Sequence, residues 1–495
     1  MNAAPTIPAM QKTAEALPTS LGDLLPAEFA AEGHALVEWI ARYLTEVERY
    51  PVMSPVAPGS IRQALPSTPP SDSASFAEVL TDFERLVLPG ITHWNHPGFF
   101  AYFAISGSVP GILAEFLTAA LNVNGMIWRT SPAATELEEL TLDWLRQLLG
   151  LPRPCFGVIC DTASISTMLA LAAAREAQGD LAVRTRGLAG RSDLPVLRIY
   201  ASSQAHSSVE KAAIALGFGH ENVVRVDVDA DWRMQPSALA AAIVEDRAKH
   251  RRPTAVVATV GTTGTSSIDP VPAIADVCAR ERVWLHVDGA YGGIAAVVPE
   301  LRSVLDGVER ADSLVVNPHK WLFTPVDCSA LYTRRPDVLR RAFSLVPEYL
   351  ETSVTGDVVN YMDYGVQLGR RFRALKLWAV LRVFGATGLA ARVRHHCELA
   401  REFASWVDAS PDWERIAPVP FALVCFRYAP KGLPADAADR LNAEILERVN
   451  ASGRVYLSHT KLGGRFVLRL AIGNIRTEHR HVAEAWQLLR EASRA

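Results

Sequence analysis

Between about residues 155 and 335, short apolar runs alternate with stretches in which apolar residues recur at helical spacing. The strand-like runs are 156–159, 196–201, 223–228, 255–260, 283–287 and 314–316, with a further apolar run at 328–332. Helical patterns at 165–178, 209–216, 236–249 and 270–282 lie between most of them. Strands covered on both faces read as unbroken apolar runs instead of alternations. The pattern therefore predicts an α/β fold, a mostly parallel sheet flanked by helices. Ligands of such sheets sit beyond the carboxyl ends of the strands.

The flanking regions read differently. Residues 25–49 form a helix candidate, with Phe29, Leu36, Ile40 and Leu44 near helical spacing. Six prolines between 51 and 70 exclude regular helix or central strand there. That segment is a linker in a monomer or an arm over a partner in a dimer, and its Val52, Met53, Val56, Ile61 and Leu65 favour burial. Residues 76–88 form a second short helix. Ser131-Pro132 suits a helix start, and Gly150 its end. Periodicity lapses from 338 to 364, where 351–357 is small and polar, as in a lid loop. A helix at 370–384 precedes an α+β pattern: strand 422–428, helix 436–452, strand 466–472 and a last helix from about 477. The expected division is 1–105, an N-terminal helical arm for dimerisation; 106–384, a large domain; and 385–495, a small α+β domain.

Composition changes little in this picture. The chain has 495 residues, 49% hydrophobic and 21% charged, with a formal net charge of -3. The length implies more than one domain, and the charge gives no basic field for nucleic acid. Six dispersed cysteines with no C-x-x-C pair read as free thiols, which places the protein in the cytoplasm as an expectation. No signal-peptide pattern and no apolar run approaching membrane-spanning length is found, so no membrane partner is expected. No H-E-x-x-H motif occurs, and His395-His396 are adjacent and diverge on a helix, so no metal site is expected.

Candidate chemistry gathers at strand ends. Lys320 follows the apolar run 313–316, where a lysine is costly unless its charge is neutralised or used. Upstream, the run 283–287 ends on Asp288 and small residues. A lysine and a carboxylate at neighbouring strand ends are what pyridoxal phosphate (PLP) needs, one for its aldehyde carbon and one for its pyridine nitrogen. Thr162-Ala163-Ser164 stand at a helix start, either as a simple N-cap or as a phosphate site. Asp161 beside them would repel a phosphate and is expected to turn away and cap. His206, just past a strand, is either structural or a partner for a planar ring and a substrate carboxylate. The aromatic block 93–103 is either a packing cluster or a pocket wall.

Three motifs carry a resemblance: Asn317-Pro318-His319-Lys320-Trp321, His286-Val287-Asp288-x-Ala290-Tyr291 and Leu368-Gly369-Arg370-Arg371-Phe372-Arg373. In order and spacing the chain resembles the aromatic L-amino acid decarboxylase family of PLP-dependent group II decarboxylases, from about residue 25 to the last helix. The resemblance implies the type I PLP fold with a seven-stranded, mostly parallel sheet, and a homodimer with sites at the interface. It implies that Lys320 carries the cofactor, Asp288 pairs with the pyridine nitrogen, Ala290 packs under the ring and His206 stacks on its other face. Ala163, Ser164, Asn317 and His319 would hold the phosphate, and Thr263 would sit near the ring oxygen. Tyr349 matches the mobile-loop tyrosine that returns a proton, and a Phe there goes with aldehyde synthesis in related plant enzymes. Trp94, His96, Tyr102, Phe103, Ile105, His206 and Gly369 would face the substrate. Asp161, Ile165 and Ala104-Ile105 depart from the animal enzymes, and Ser164-Ile165-Ser166 is similar to the glutamate decarboxylase branch. The expected reaction is decarboxylation of tryptophan, tyrosine, phenylalanine or DOPA to the arylalkylamine. Rivals are an aromatic aldehyde synthase, a glutamate or cysteine sulfinate decarboxylase, and a catalytically dead scaffold.

Overall fold

The computed structural model describes residues 23–345 and 358–494. Tyr349 and the polar stretch 351–357 lie outside the described residues. The chain forms two compact units, one of residues 1–49 and 54–91, the other of 50–53 and 92–495. Residues 92–105 and 385–495 thus belong with the large sheet in the second unit.

In the first unit, the helix Pro26–Glu46 runs on into a short 3₁₀ turn. Trp39 on it stacks on Tyr43 with centroids 5.5 Å apart and meets Phe83 edge-on at 5.4 Å. The helix Phe76–Asp82 starts at a capping box, in which Ser75 Oγ accepts from the Glu78 N–H and the Glu78 carboxylate accepts from the Ser75 N–H. Phe29, Val37 and Val79 remain exposed.

The second unit holds two sheets. Its strands, in chain order, are β1 Phe99–Phe100, β2 Phe156–Cys160, β3 Leu197–Ser202, β4 Val223–Val226, β5 Arg252–Thr259, β6 Trp284–Asp288, β7 Ser313–Val316, β8 Ser329–Thr333, β9 Trp413–Arg415, β10 Leu423–Tyr428, β11 Tyr456–Leu462 and β12 Arg465–Ala471. The large sheet has the order β2-β8-β7-β6-β5-β3-β4. Only β8 runs against the others. The expected seven-stranded, mostly parallel sheet is therefore present. Strands β6, β7 and β8 are buried at every position, which is why they read as continuous apolar runs. Register sets the site: Thr259 pairs with Asp288, and Asp288 with Val315, so three strand ends finish level.

The small sheet has the order β1-β11-β12-β10-β9. β1 pairs in parallel with β11, so the aromatic block is stitched to the C-terminal region. The sequence pattern does not mark β11, because Ser458 to Lys461 are polar and only part of the strand is covered. The expected helix 370–384 is one part of a longer element, Ala374–Asp408, broken at Gly385 where φ is +61°. By length and apolarity this helix could cross a membrane, but Leu377, Val380, Leu389, Val393 and Phe403 are buried in the protein's own core.

A buried ion pair ties the Leu368–Arg373 motif to the sheet. Arg370 grips Glu138 through both carboxylate oxygens at 2.6 and 3.1 Å and donates to the Ile159 carbonyl at 2.9 Å. Glu138 also accepts the Ile159 N–H at 2.9 Å. Breaking a buried pair strands the remaining charge. Glu138→Ala is therefore expected to cost about 3–5 kcal/mol, measured as a lower midpoint in denaturant-induced unfolding. An unchanged midpoint would show that Arg370 finds water or another partner.

Candidate active site

The carboxyl ends of β2, β3, β5, β6 and β7 surround one cavity. Thr162, Ala163 and Ser164 line it after β2, His206 after β3, and Thr259, Gly261 and Thr263 at β5. Asp288, Ala290 and Tyr291 line it at β6, and Asn317, His319 and Lys320 after β7, with Phe103 closing one side.

Lys320 lies in the single turn Pro318–Trp321, its N–H bonded to the Asn317 carbonyl at 3.0 Å. Its ammonium nitrogen is 5.6 Å from the centre of the Phe103 ring. Burial pushes its pKa below the usual lysine range, and the Asp288 charge works against that shift. The outcome is a larger share of neutral amine, the form that attacks an aldehyde. Asp288 is buried, and its Oδ1 accepts the Ala290 N–H at 3.0 Å. Its other oxygen has no hydrogen bond among the described residues.

His206 accepts the Ser208 N–H at Nδ1, 3.1 Å away, so its neutral ring carries the proton on Nε2. Burial lowers its pKa, Asp288 opposes the shift, and Lys320 and Lys211 add to it. His319 is held in the same sense: Nδ1 accepts the Cys328 N–H at 2.8 Å. Burial first, then the Lys320 charge, push its pKa down to about 3, so it is neutral and carries its proton on Nε2. The Asn317 amide nitrogen stands 3.3 Å from that Nε2, and Asn317 Oδ1 is buried without a partner. Two donors facing each other do not bond. Turning the amide over pairs Nε2–H with the oxygen and leaves an NH₂ group that calls for an acceptor from a bound group.

The helix Ala163–Glu176 begins at Thr162, whose side chain makes no capping bond. The first N–H groups of a helix lack intrahelical partners, and here they open on the cavity as an anion seat. Asp161 does not cap the helix. Its Oδ1 takes the Thr162 N–H at 2.6 Å, and its Oδ2 lies 3.4 Å from Gln367. Gly261 makes the turn after β5 with φ at +90°, and a Cβ there would come within 2.8 Å of the Gly292 nitrogen.

Of the residues expected to face substrate, the cavity takes Phe103 and His206. Trp94 stacks on Phe99 at 4.3 Å and on Tyr102 at 5.8 Å, and the Tyr102 hydroxyl is 3.2 Å from that of Tyr456. His96 is buried and accepts the Gly98 N–H at 2.9 Å. Ile105 and Gly369 do not line the cavity, and Gly369 is exposed beside Asn124. The pairing of β1 with β11 explains the difference, since it draws the first part of the block into a packing cluster. Thr259, Gly261 and Tyr291 line the cavity although the sequence pattern assigned them no site role; all three sit at or just past strand ends.

Residues 58–429 match the family described as the pyridoxal-dependent decarboxylase conserved domain. The chain belongs to this family. The decarboxylase is 40% identical over 485 residues to tyrosine decarboxylase 4 of Petroselinum crispum, covering 95% of this chain and 94% of the relative. It is 41% identical over 469 residues to a phenylacetaldehyde synthase of Arabidopsis thaliana, covering 93% and 94%. The crystal structure of Oryza sativa TDC with PLP and tryptamine superposes with a TM-score of 0.91 at 39% identity, covering 96% of this chain and 99% of that one. The cofactor of the decarboxylase is pyridoxal phosphate. The donor set fits it: an amine, a carboxylate with one free oxygen, a helix N-terminus, and an amide in want of an acceptor.

Proposed function

We propose that this decarboxylase converts an aromatic L-amino acid, namely tryptophan, tyrosine, phenylalanine or DOPA, to its arylalkylamine and CO₂. The observation that carries the reading is the meeting of Lys320, Asp288, His206 and the helix N-terminus at Ala163 in one cavity. Bound PLP supplies an electron sink for the carbon that loses CO₂. Lys320 would hold the cofactor through its amine. Asp288, through its free oxygen, would keep the pyridine nitrogen protonated. Ala163, Ser164, Asn317 and His319 would take the phosphate, Thr263 would lie by the ring oxygen, and Ala290 and His206 would take the two ring faces. His206 Nε2–H is free to donate to a substrate carboxylate. Tyr349 supplies the returning proton in this reading, on sequence grounds. Phe103 forms the aromatic wall, and Trp94 and His96 serve packing.

A second reading, aromatic aldehyde synthesis, is favoured by the likeness to phenylacetaldehyde synthase. Tyr349 speaks for plain decarboxylation. A panel of the proteinogenic amino acids plus DOPA, with amine, aldehyde, ammonia and peroxide all measured, separates the two. Amine and CO₂ in equal amounts from aromatic substrates are expected. Aldehyde with peroxide, or a preference for glutamate or cysteine sulfinate, would overturn the reading.

We also infer a homodimer in the cytoplasm. The helix Val109–Leu121 exposes Val109, Leu113, Phe116, Leu117 and Leu121, an apolar stripe suited to a second copy. The six free cysteines suit a reducing compartment. A fully active monomer on size-exclusion chromatography, or recovery of the protein from a secreted fraction, would contradict this.

A further inference from the structure

Arg469 on β12 is almost wholly buried, and no carboxylate pairs with it among the described residues. A buried guanidinium without a counter-charge is costly, so what its donors hold is informative. Nη2 donates to the Thr263 carbonyl at 2.7 Å and Nε to the Gly264 carbonyl at 3.1 Å. Nη1 donates to Ser458 Oγ at 2.8 Å, and that oxygen also accepts the Tyr102 N–H at 3.1 Å. The guanidinium carbon lies 5.5 Å from the centre of the Phe103 ring. One side chain of the C-terminal sheet thus touches both the turn that presents Thr263 and the segment that presents Phe103. Both residues line the cavity, and the Phe103 ring is the one that faces Lys320.

We propose that Arg469 is a positioning residue, whose planar fork locks the Thr263 turn and the Phe103 ring in place for PLP binding. The proposal rests on the PLP-dependent reading above. It makes the small C-terminal sheet a working part of the cofactor site. Charge alone does not suffice for this role, since the three acceptors need donors in one fixed plane, which a lysine lacks.

The test uses Arg469→Lys and Ser458→Ala, each titrated as apo-protein with PLP by visible absorbance and compared with wild type. Arg469→Lys is expected to weaken PLP binding about ten- to a hundredfold. Ser458→Ala removes one anchor, keeps the guanidinium, and is expected to weaken it about three- to tenfold. Wild-type affinity in both variants overturns the proposal. So does a lower unfolding midpoint with unchanged affinity of the folded fraction, which marks a purely structural arginine. If Arg469→Lys does not fold, Ser458→Ala decides alone, and unchanged affinity there overturns the proposal. Wild-type protein that takes no PLP overturns the functional reading itself; wild type that binds and turns over beside unaffected variants overturns only the role of Arg469.

Discussion

Lys320→Ala is expected to lose the visible absorbance of covalently held cofactor and all measurable turnover, while the apo-protein stays folded. The lysine is the amine at the carboxyl end of β7 in the cavity, and among the described residues no other lysine lines it. Stability should respond in the opposite sense to activity. Burial lowers the pKa of Lys320 in the folded state, so the folded protein binds the proton less tightly than the unfolded chain. Between the two pKa values the unfolded chain carries the extra proton, so stability rises with pH through that window. Below it, the buried ammonium is a net cost that Asp288 offsets only in part. Apo Lys320→Ala should therefore lack this contribution to the rise with pH and be no less stable than apo wild type near neutrality. Unfolding midpoints of the two apo-proteins against pH check this, and parallel curves would contradict it. Comparison must be made without PLP, because bound cofactor stabilises wild type by mass action.

Asp288→Asn is expected to lower kcat about a hundred- to a thousandfold, the equivalent of a lost buried charge pair of about 3–4 kcal/mol. The replacement is close to isosteric. Its amide oxygen can still accept the Ala290 N–H, so the turn after β6 should survive. What disappears is the negative charge proposed to face the pyridine nitrogen. The charge also opposes the downward pKa shifts of Lys320 and His206, so both groups should titrate lower still in the variant. A kcat within a few-fold of wild type would remove Asp288 from the mechanism. So would a pH profile with its acid limb unmoved.

Much of the large sheet is legible locally because its strands are buried on both faces. β6, β7 and β8 need no alternation to be found, and Lys320 and Asp288 stand where such runs stop. The strand order is not local: nothing near residue 330 says that β8 inserts between β2 and β7. The aromatic block shows the same limit. Its residues suit a pocket wall or a packed cluster equally well. Only the pairing of β1 with β11, more than 350 residues apart, sends Trp94 and Tyr102 to Phe99 and Tyr456 and leaves Phe103 at the cavity. Arg469 is hidden for the same reason. In sequence it is one charge in an apolar strand, and its acceptors at Thr263 and Gly264 lie 206 and 205 positions away along the chain.

Lys320 is the residue proposed to carry the cofactor. Borohydride reduction of the PLP-loaded protein fixes the cofactor to its lysine, and peptide mapping by mass spectrometry then locates it. The prediction is a pyridoxyl group on the peptide containing Lys320, in one copy per chain. A label on another lysine, or none in a protein that is still active, would contradict the assignment of Lys320.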